Sequence, residues 1–193
     1  MTTTPQPVRH SGQTLYVFLL AALVALNAFA IDIMMPALPD IGRELGVSHE
    51  NQRQWVILSH FLGFAVGQLF WGPLSDHFGR KPIMLLGLAS YVATAMACAL
   101  AQDFTLLIAA RAAMGVAAAS TRILVTAVVR DEYQGPEMAR IMSLVAMVFM
   151  IIPVLAPSIG QLILLLLHSW RWLFVILAIY GGAMIIWCHV QLH

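Results

Sequence analysis

Three side chains that are charged at neutral pH fall inside long apolar runs: Asp32, Arg111 and Arg122. A charge in hydrocarbon is costly, so such residues face a partner or a water-filled cavity and mark pathways for ions and solutes. A carboxylate near a guanidinium trades a proton against a cationic or polar solute, and its proton affinity depends on hydration and on the distance to the cation. At 1.5 Å per residue, Arg111 lies about 10 Å inward from the start of its run near Phe104. Asp32 stands near the same membrane face, at the end of the first run. The two are expected to share one cavity and to interact, directly or through water. Arg111 and Arg122 are eleven residues apart, close to three helical turns, and so lie on one face with Gly115 and Ala118 or Ala119. Those small side chains leave room for a solute or a neighbouring helix. Two plainer readings stay open: Arg122 snorkels toward the interface, and Asp32 stabilises a proline-bent helix end.

Other chemistries find little support. The histidines are His10, His49, His60, His77, His168, His189 and His193, and only His189 and His193 stand four apart. No Cys, Asp or Glu lies near that pair to complete a zinc site, which needs three or four converging ligands. They read as interfacial or packed side chains. Cys98 and Cys188 sit in runs that approach opposite membrane faces, so they read as apolar filler with no disulfide between them. There is no phosphate-cradling glycine-lysine loop and no serine with a recognisable base and orienting group. The chain is therefore expected not to be an enzyme, with no cofactor and no metal.

These residues need helices to hold them. Of 193 residues, 61% are hydrophobic and 10% charged, with a formal net charge of +1. Soluble domains carry about 25% charge, and nothing here forms the basic stripe of a nucleic-acid binder. The apolar residues group into six spans, at about 14–35, 54–71, 82–100, 104–129, 138–164 and 173–190. Each suits a hydrocarbon core of roughly 30 Å. Continuous runs of this length argue against a β-barrel, whose strands alternate over about ten residues. The expected class is an all-α polytopic membrane protein: residues 1–13 form a short cytoplasmic lead, 14–190 a six-helix bundle and 191–193 a cytoplasmic end. Ala28-Phe29-Ala30 has the form of a signal-peptide cleavage site, but the first run is longer than a signal-peptide core.

Along the chain, Pro36 and Pro39 end or bend the first helix. Residues 42–53 read as a polar loop, with Ser48 as a cap for the helix that follows. Gly63 and Gly67 permit close helix contact. Gly135-Pro136 breaks the chain before the fifth span. In that span Pro153, Pro157 and Gly160 predict a bent or broken helix. Trp55, Trp71, Trp170, Trp172 and Trp187 fall near span ends, where interface anchoring is the default. An even number of crossings leaves both ends on one side. If that side is the cytoplasm, Arg9, Arg80, Lys81, Arg130 and Arg140 are inside and Arg43, Arg53 and Arg171 outside, five against three.

Between the second and third spans stands Gly72-Pro73-Leu74-Ser75-Asp76-His77-Phe78-Gly79-Arg80-Lys81-Pro82. Its charges mark a membrane surface, and two readings stay open: a charged loop that merely ends two helices, or one whose Asp and Arg latch helix ends and release them as the protein changes state. Gly72, Leu74, Asp76, Gly79, Arg80 and Lys81 fall on a pattern that resembles the signature loop of the major facilitator superfamily. Asp32 with Pro36-Ala37-Leu38-Pro39 resembles the end of the first helix in that family's drug:proton antiporter branch, of the bicyclomycin and chloramphenicol resistance type. Arg111-Ala112-Ala113-Met114-Gly115 resembles the branch's fourth-helix motif, with Met114 in place of the usual glutamine. Pro153 to Gly160 resembles its fifth-helix antiporter motif, with Gln161 where a second glycine is common.

The resemblance implies proton-coupled export of small drug-like molecules across the inner membrane, with both termini cytoplasmic. It assigns proton or substrate handling to Asp32 and Arg111, and Arg122 joins them on its place inside the fourth span. It makes Gly72, Asp76, Gly79, Arg80 and Lys81 a conformational loop, and gives bending and closure to Pro153, Pro157 and Gly160. It covers only the N-terminal six-helix half of a twelve-span transporter. The implied partners are membrane lipid, drug-like molecules, protons and a second six-helix half, as a homodimer or a missing polypeptide. The alternative is a truncated, non-transporting half or a membrane interaction partner.

Overall fold

Each of the six apolar runs folds as a helix long and apolar enough to cross a bilayer. The computed structural model describes residues 10–191 apart from Ser48, with side chains from Leu15 onward. Residues 1–9 of the expected lead, Arg9 among them, the Ser48 cap and the last two residues lie outside the described residues. The helices are α1 (His10–Asp32), α2 (Leu38–Glu44), α3 (Glu50–Arg53), α4 (Trp55–Phe78), α5 (Arg80–Ala99), α6 (Phe104–Glu132), α7 (Gly135–Leu167) and α8 (Arg171–Gln191). Among the described residues there is no strand. The chain is an all-α, six-span membrane bundle.

Several boundaries differ from the sequence reading. The expected loop at 42–53 is largely helical: Met35–Ala37 forms a 3-10 turn that leads into α2, and α3 precedes α4. Pro36 and Pro39 do end α1, but as first-turn residues of the next helical pieces, where a missing N–H costs nothing. The charged turn after the second span is not an eleven-residue loop. Helix α4 runs through Pro73 to Phe78, and the reversal is made at Gly79, with φ 93° and ψ 155°. That positive φ is open to glycine and strained for other residues. Helix α7 is likewise unbroken through Pro153 and Pro157, and its 33 residues span about 50 Å.

Packing pairs the helices out of chain order. Helix α4 lies on α6, α5 on both α6 and α8, and α1 on α7, α6 and α8. The α4–α6 contact is close because glycines meet backbone. A methyl group on Gly63 would collide with the carbonyl of Ala112, and one on Gly115 with the carbonyl of His60. Helices α1 and α6 supply the two largest shares of the core, including Leu19, Leu20, Leu23, Leu26, Met114 and Ala117–119. Helices α4 and α7 are the least covered, and Leu69, Met150 and Val154 stand 72%, 76% and 73% exposed.

Two of the tryptophans assigned to the interface are core residues. Trp71 is 8% exposed and donates through Nε1 to Val116 O at 2.6 Å. Trp170 is 1% exposed and donates to Glu44 Oε2 at 2.6 Å. Each ring buries its apolar body and finds an acceptor for its N–H, which a place at the bundle rim allows as readily as an interface does.

Candidate functional site

Arg111 is fully buried at the meeting point of five helices. Its Nε donates to Val56 O of α4 at 3.0 Å and its Nη1 to Ala30 O of α1 at 3.1 Å. The thioether of Met114 lies 3.9 Å from Nη1, a weak acceptor standing where an amide oxygen was expected. The Phe174 ring of α8 lies 5.7 Å from the guanidinium carbon. No carboxylate touches it among the described residues. Carbonyl dipoles and a ring face therefore offset the charge, and they do so only in part.

Of the two links expected between Asp32 and Arg111, direct or through water, the direct one is not made. Asp32 is half-buried and has no side-chain hydrogen bond or ion pair among the described residues. Arg111 reaches α1 two residues earlier, at Ala30 O. Residues two apart on a helix point about 200° apart. The position of Asp32 near the end of the first helix was legible, but its angular placement was not.

A polar group that the charged residues did not reveal surrounds Arg111. Nε2 of His60 lies 3.2 Å from Oδ1 of Asn27, and both side chains are buried. With Nε2 protonated, the ring donates to that oxygen and leaves Nδ1 as an acceptor. Among the described residues Tyr91 Oη and Arg111 Nη2 are buried without a hydrogen-bond partner, and the His60 ring, whose Nδ1 meets no partner in bonding geometry, lies beside the Arg111 backbone. His60 and Tyr91 both lie close enough to Arg111 to feel its charge. A membrane core that keeps an imidazole, a phenol and a guanidinium partly unpaired carries polar capacity beyond what packing requires.

Arg122 lies elsewhere. It is exposed, with its guanidinium carbon 5.3 Å from the Phe149 ring of α7. Eleven residues at 1.5 Å separate it from Arg111 by about 16 Å along α6. The shared helix face holds in angle, yet one arginine meets α1, α4 and α8 while the other meets α7.

At the Gly79 turn, Arg80 joins three helices. It pairs with Asp76 of α4 at 2.6 Å and Asp131 of α6 at 3.0 Å, and Nη1 donates to Ser75 Oγ at 2.6 Å. Lys81 donates to His189 O of α8 at 3.2 Å. Tyr16 of α1 donates to Glu132 of α6 at 2.9 Å. Gly72 lies one turn before this cluster on α4, with only Ile123 of α6 beside it. At the opposite end of the bundle, Arg171 pairs with Glu44 and donates to Ala101 O at 2.9 Å, with its guanidinium over Trp170. That second clamp was not foreseen; its parts come from α2, α8 and the turn between α5 and α6. Gly160 touches the end of α1, and a methyl group there would strike Ile33 O and press on Pro36. Pro153 and Pro157 lie about two turns and one turn before it on α7.

The Major Facilitator Superfamily model matches residues 20–191. The bicyclomycin resistance protein homolog of Haemophilus influenzae is 35% identical over 167 residues, 86% of this chain and 42% of that protein. Multidrug resistance protein MdtL of Escherichia coli O157:H7 is 36% identical over 164 residues, covering 85% of this chain and 41% of its own length. The crystal structure of the human organic anion transporter MFSD10 superposes with a TM-score of 0.74 at 19% identity, over 97% of this chain and 48% of that one. A D-xylose–proton symporter gives a TM-score of 0.79 at 11% identity, over 92% and 48%. The chain thus spans less than half the length of the relatives it matches.

Proposed function

Because the chain belongs to the major facilitator superfamily, a family of transporters and not of enzymes, we propose that it is the N-terminal six-helix unit of a proton-coupled exporter of small drug-like molecules. The observation that carries this is its similarity to bicyclomycin and multidrug resistance proteins over nearly its whole length. The unit works with a second six-helix half, supplied by a second copy or by another polypeptide segment. The membrane is the inner membrane, with both termini cytoplasmic, so the Gly79 turn faces the cytoplasm.

Asp32 is the proton-exchanging group in this reading. A half-buried carboxylate without a partner changes its proton affinity with hydration. Opening the bundle to one side and then the other hydrates it in turn. Arg111 biases that exchange from a distance, through its place among α1, α4, α6 and α8. Arg80 and Asp76 hold the cytoplasmic helix ends in one state and release them in the other, while Gly160 sets how closely α7 approaches α1.

The test is flux in liposomes containing the purified chain, with an imposed pH gradient and a panel of cationic and neutral drug-like molecules. Gradient-driven flux is expected, and Asp32→Asn is expected to abolish the gradient dependence while leaving the protein folded. Flux that Asp32→Asn leaves unchanged would remove Asp32 from the mechanism.

A further inference from the structure

A cleft of ≈ 110 Å³ opens between α1, α6 and α7, lined by Val24, Arg122, Thr126, Met142, Val145 and Phe149 among others. It is well separated from Arg111; the sequence singled out Arg122 but not the α7 wall that completes the cleft. Three features make it a binding site and not a packing gap. First, its lining contains no acidic side chain, and Arg122 forms no ion pair or side-chain hydrogen bond among the described residues. Second, the guanidinium is held by its face over Phe149, an arrangement that leaves the in-plane N–H donors unused. Third, the hydroxyl of Thr126, which also lines the cleft, has its donor committed to Arg122 O at 2.9 Å. That leaves Arg122 as the lining side chain with free donors.

Depth sharpens the point. Eighteen residues at 1.5 Å place Arg122 about 27 Å along α6 from Phe104, near the inner edge of a hydrocarbon core of roughly 30 Å. A cation–π contact is worth about 0.5–1 kcal/mol at an exposed site and does not neutralise the charge. A guanidinium without a counter-charge at that depth, beside apolar walls, is matched by an anion whose body is apolar.

We propose that this cleft binds a small amphipathic anion, its carboxylate or phosphate held by Arg122 and its apolar body lying along Val24, Met142, Val145 and Phe149. The cleft is smaller than the cavity of about 150 Å³ that encloses benzene, but it is open on one side, so it takes a few methylene groups or a ring seated part-way in. As a substrate class this rests on the transport reading, whereas binding does not, and binding is measured without flux.

The probe pair is 4-(trifluoromethyl)benzoate and its neutral amide, followed by ligand-observed fluorine NMR on the full chain in phosphatidylcholine nanodiscs. The acid is expected to bind about tenfold tighter than the amide, the worth of one charge-assisted contact. Arg122→Ala should erase that preference, and Arg122→Lys should keep part of it. Arg140→Ala removes an exposed charge from α7 outside the cleft and should leave the preference intact. Equal binding of acid and amide, or a preference that survives Arg122→Ala, overturns the site. A preference lost equally in Arg140→Ala assigns it to general surface charge and overturns the site as well. A second set of discs contains phosphatidylglycerol, with Arg122→Ala as the baseline in the same discs. Displacement of the benzoate there supports a lipid phosphate as the natural occupant, and its persistence supports a free solute. Failure of the flux assay would leave the acid preference standing, and loss of the acid preference would leave proton-coupled flux standing.

Discussion

A guanidinium sealed among helices has to be held by whatever lies around it. For Arg111 that is two carbonyls, a thioether and a ring. The arrangement holds the side chain while leaving donors spare, which suits a group whose surroundings change during a cycle. Its neighbours Asn27 and His60 have the more ordinary task of satisfying each other. Asn27→Leu should therefore cost about 1–3 kcal/mol, because it leaves the His60 Nε2–H buried without an acceptor. Adding His60→Leu should recover part of that loss, since removing both partners is cheaper than orphaning one. Thermal unfolding of the single and double variants in mild detergent measures it. A double variant that loses the sum of the single losses would show that the pair is not coupled. Asn27 could have been singled out from the chain as a lone polar side chain in an apolar run, whereas His60 and Tyr91 stand beside Ser59 and Ser90 and are less conspicuous. His60 is a packed histidine, one of the two readings its sequence allowed, but nothing in the chain pairs it with Asn27.

Helices in this bundle approach one another where side chains are absent. The Gly63–Gly67 spacing promised close contact, and its partner is the backbone of α6 at Ala112 and Val116. Gly63→Ala should destabilise the bundle by about 1–3 kcal/mol through overpacking. Gly182→Ala on α8 meets nothing within 4 Å. It should be neutral or stabilising by up to about 1 kcal/mol, as alanine is the better helix former. Comparing the two melting temperatures checks the contrast, and equal effects would contradict the packing. A bend or a break was expected at Pro153 and Pro157, and the break does not occur. Pro153 and Pro157 each remove one backbone hydrogen bond, yet a helix of 33 residues continues through both. Pro73 was counted within a turn but sits inside α4, because the reversal needs only one residue of positive φ and Gly79 supplies it.

The bundle as a whole leaves α4 and α7 thinly covered, while α1 and α6 are deeply buried. In a membrane an exposed apolar face meets lipid or another helix equally well, so exposure does not choose between them. The half-length match to known relatives favours a second half. If that half is a second copy, specific flux should rise with the density of the chain in the vesicles. The 21.2 kDa chain should then appear as a particle of twice that protein mass by native mass spectrometry. Specific flux independent of density, with a single-copy mass, would mean that six helices suffice. The two ion-paired clamps belong to this scale as well. Arg80 gathers α4, α5 and α6 at one end. Glu44, Trp170 and Arg171 gather α2, α8 and the turn after α5 at the other.

Composition and run length were enough to establish six membrane helices, because the cost of unsatisfied backbone in lipid leaves a long apolar run no other regular fold. The spacing around Gly79, together with the motifs near Asp32 and Arg111, was enough to indicate the family. Which helices touch was decided only in three dimensions, because apolar helices in lipid look alike from every side and pairing depends on where glycine admits a backbone. For the same reason the sequence could place Asp32 and Arg111 at similar depth but not in contact: depth follows from counting residues, whereas contact requires the angle at which each helix presents its side chain.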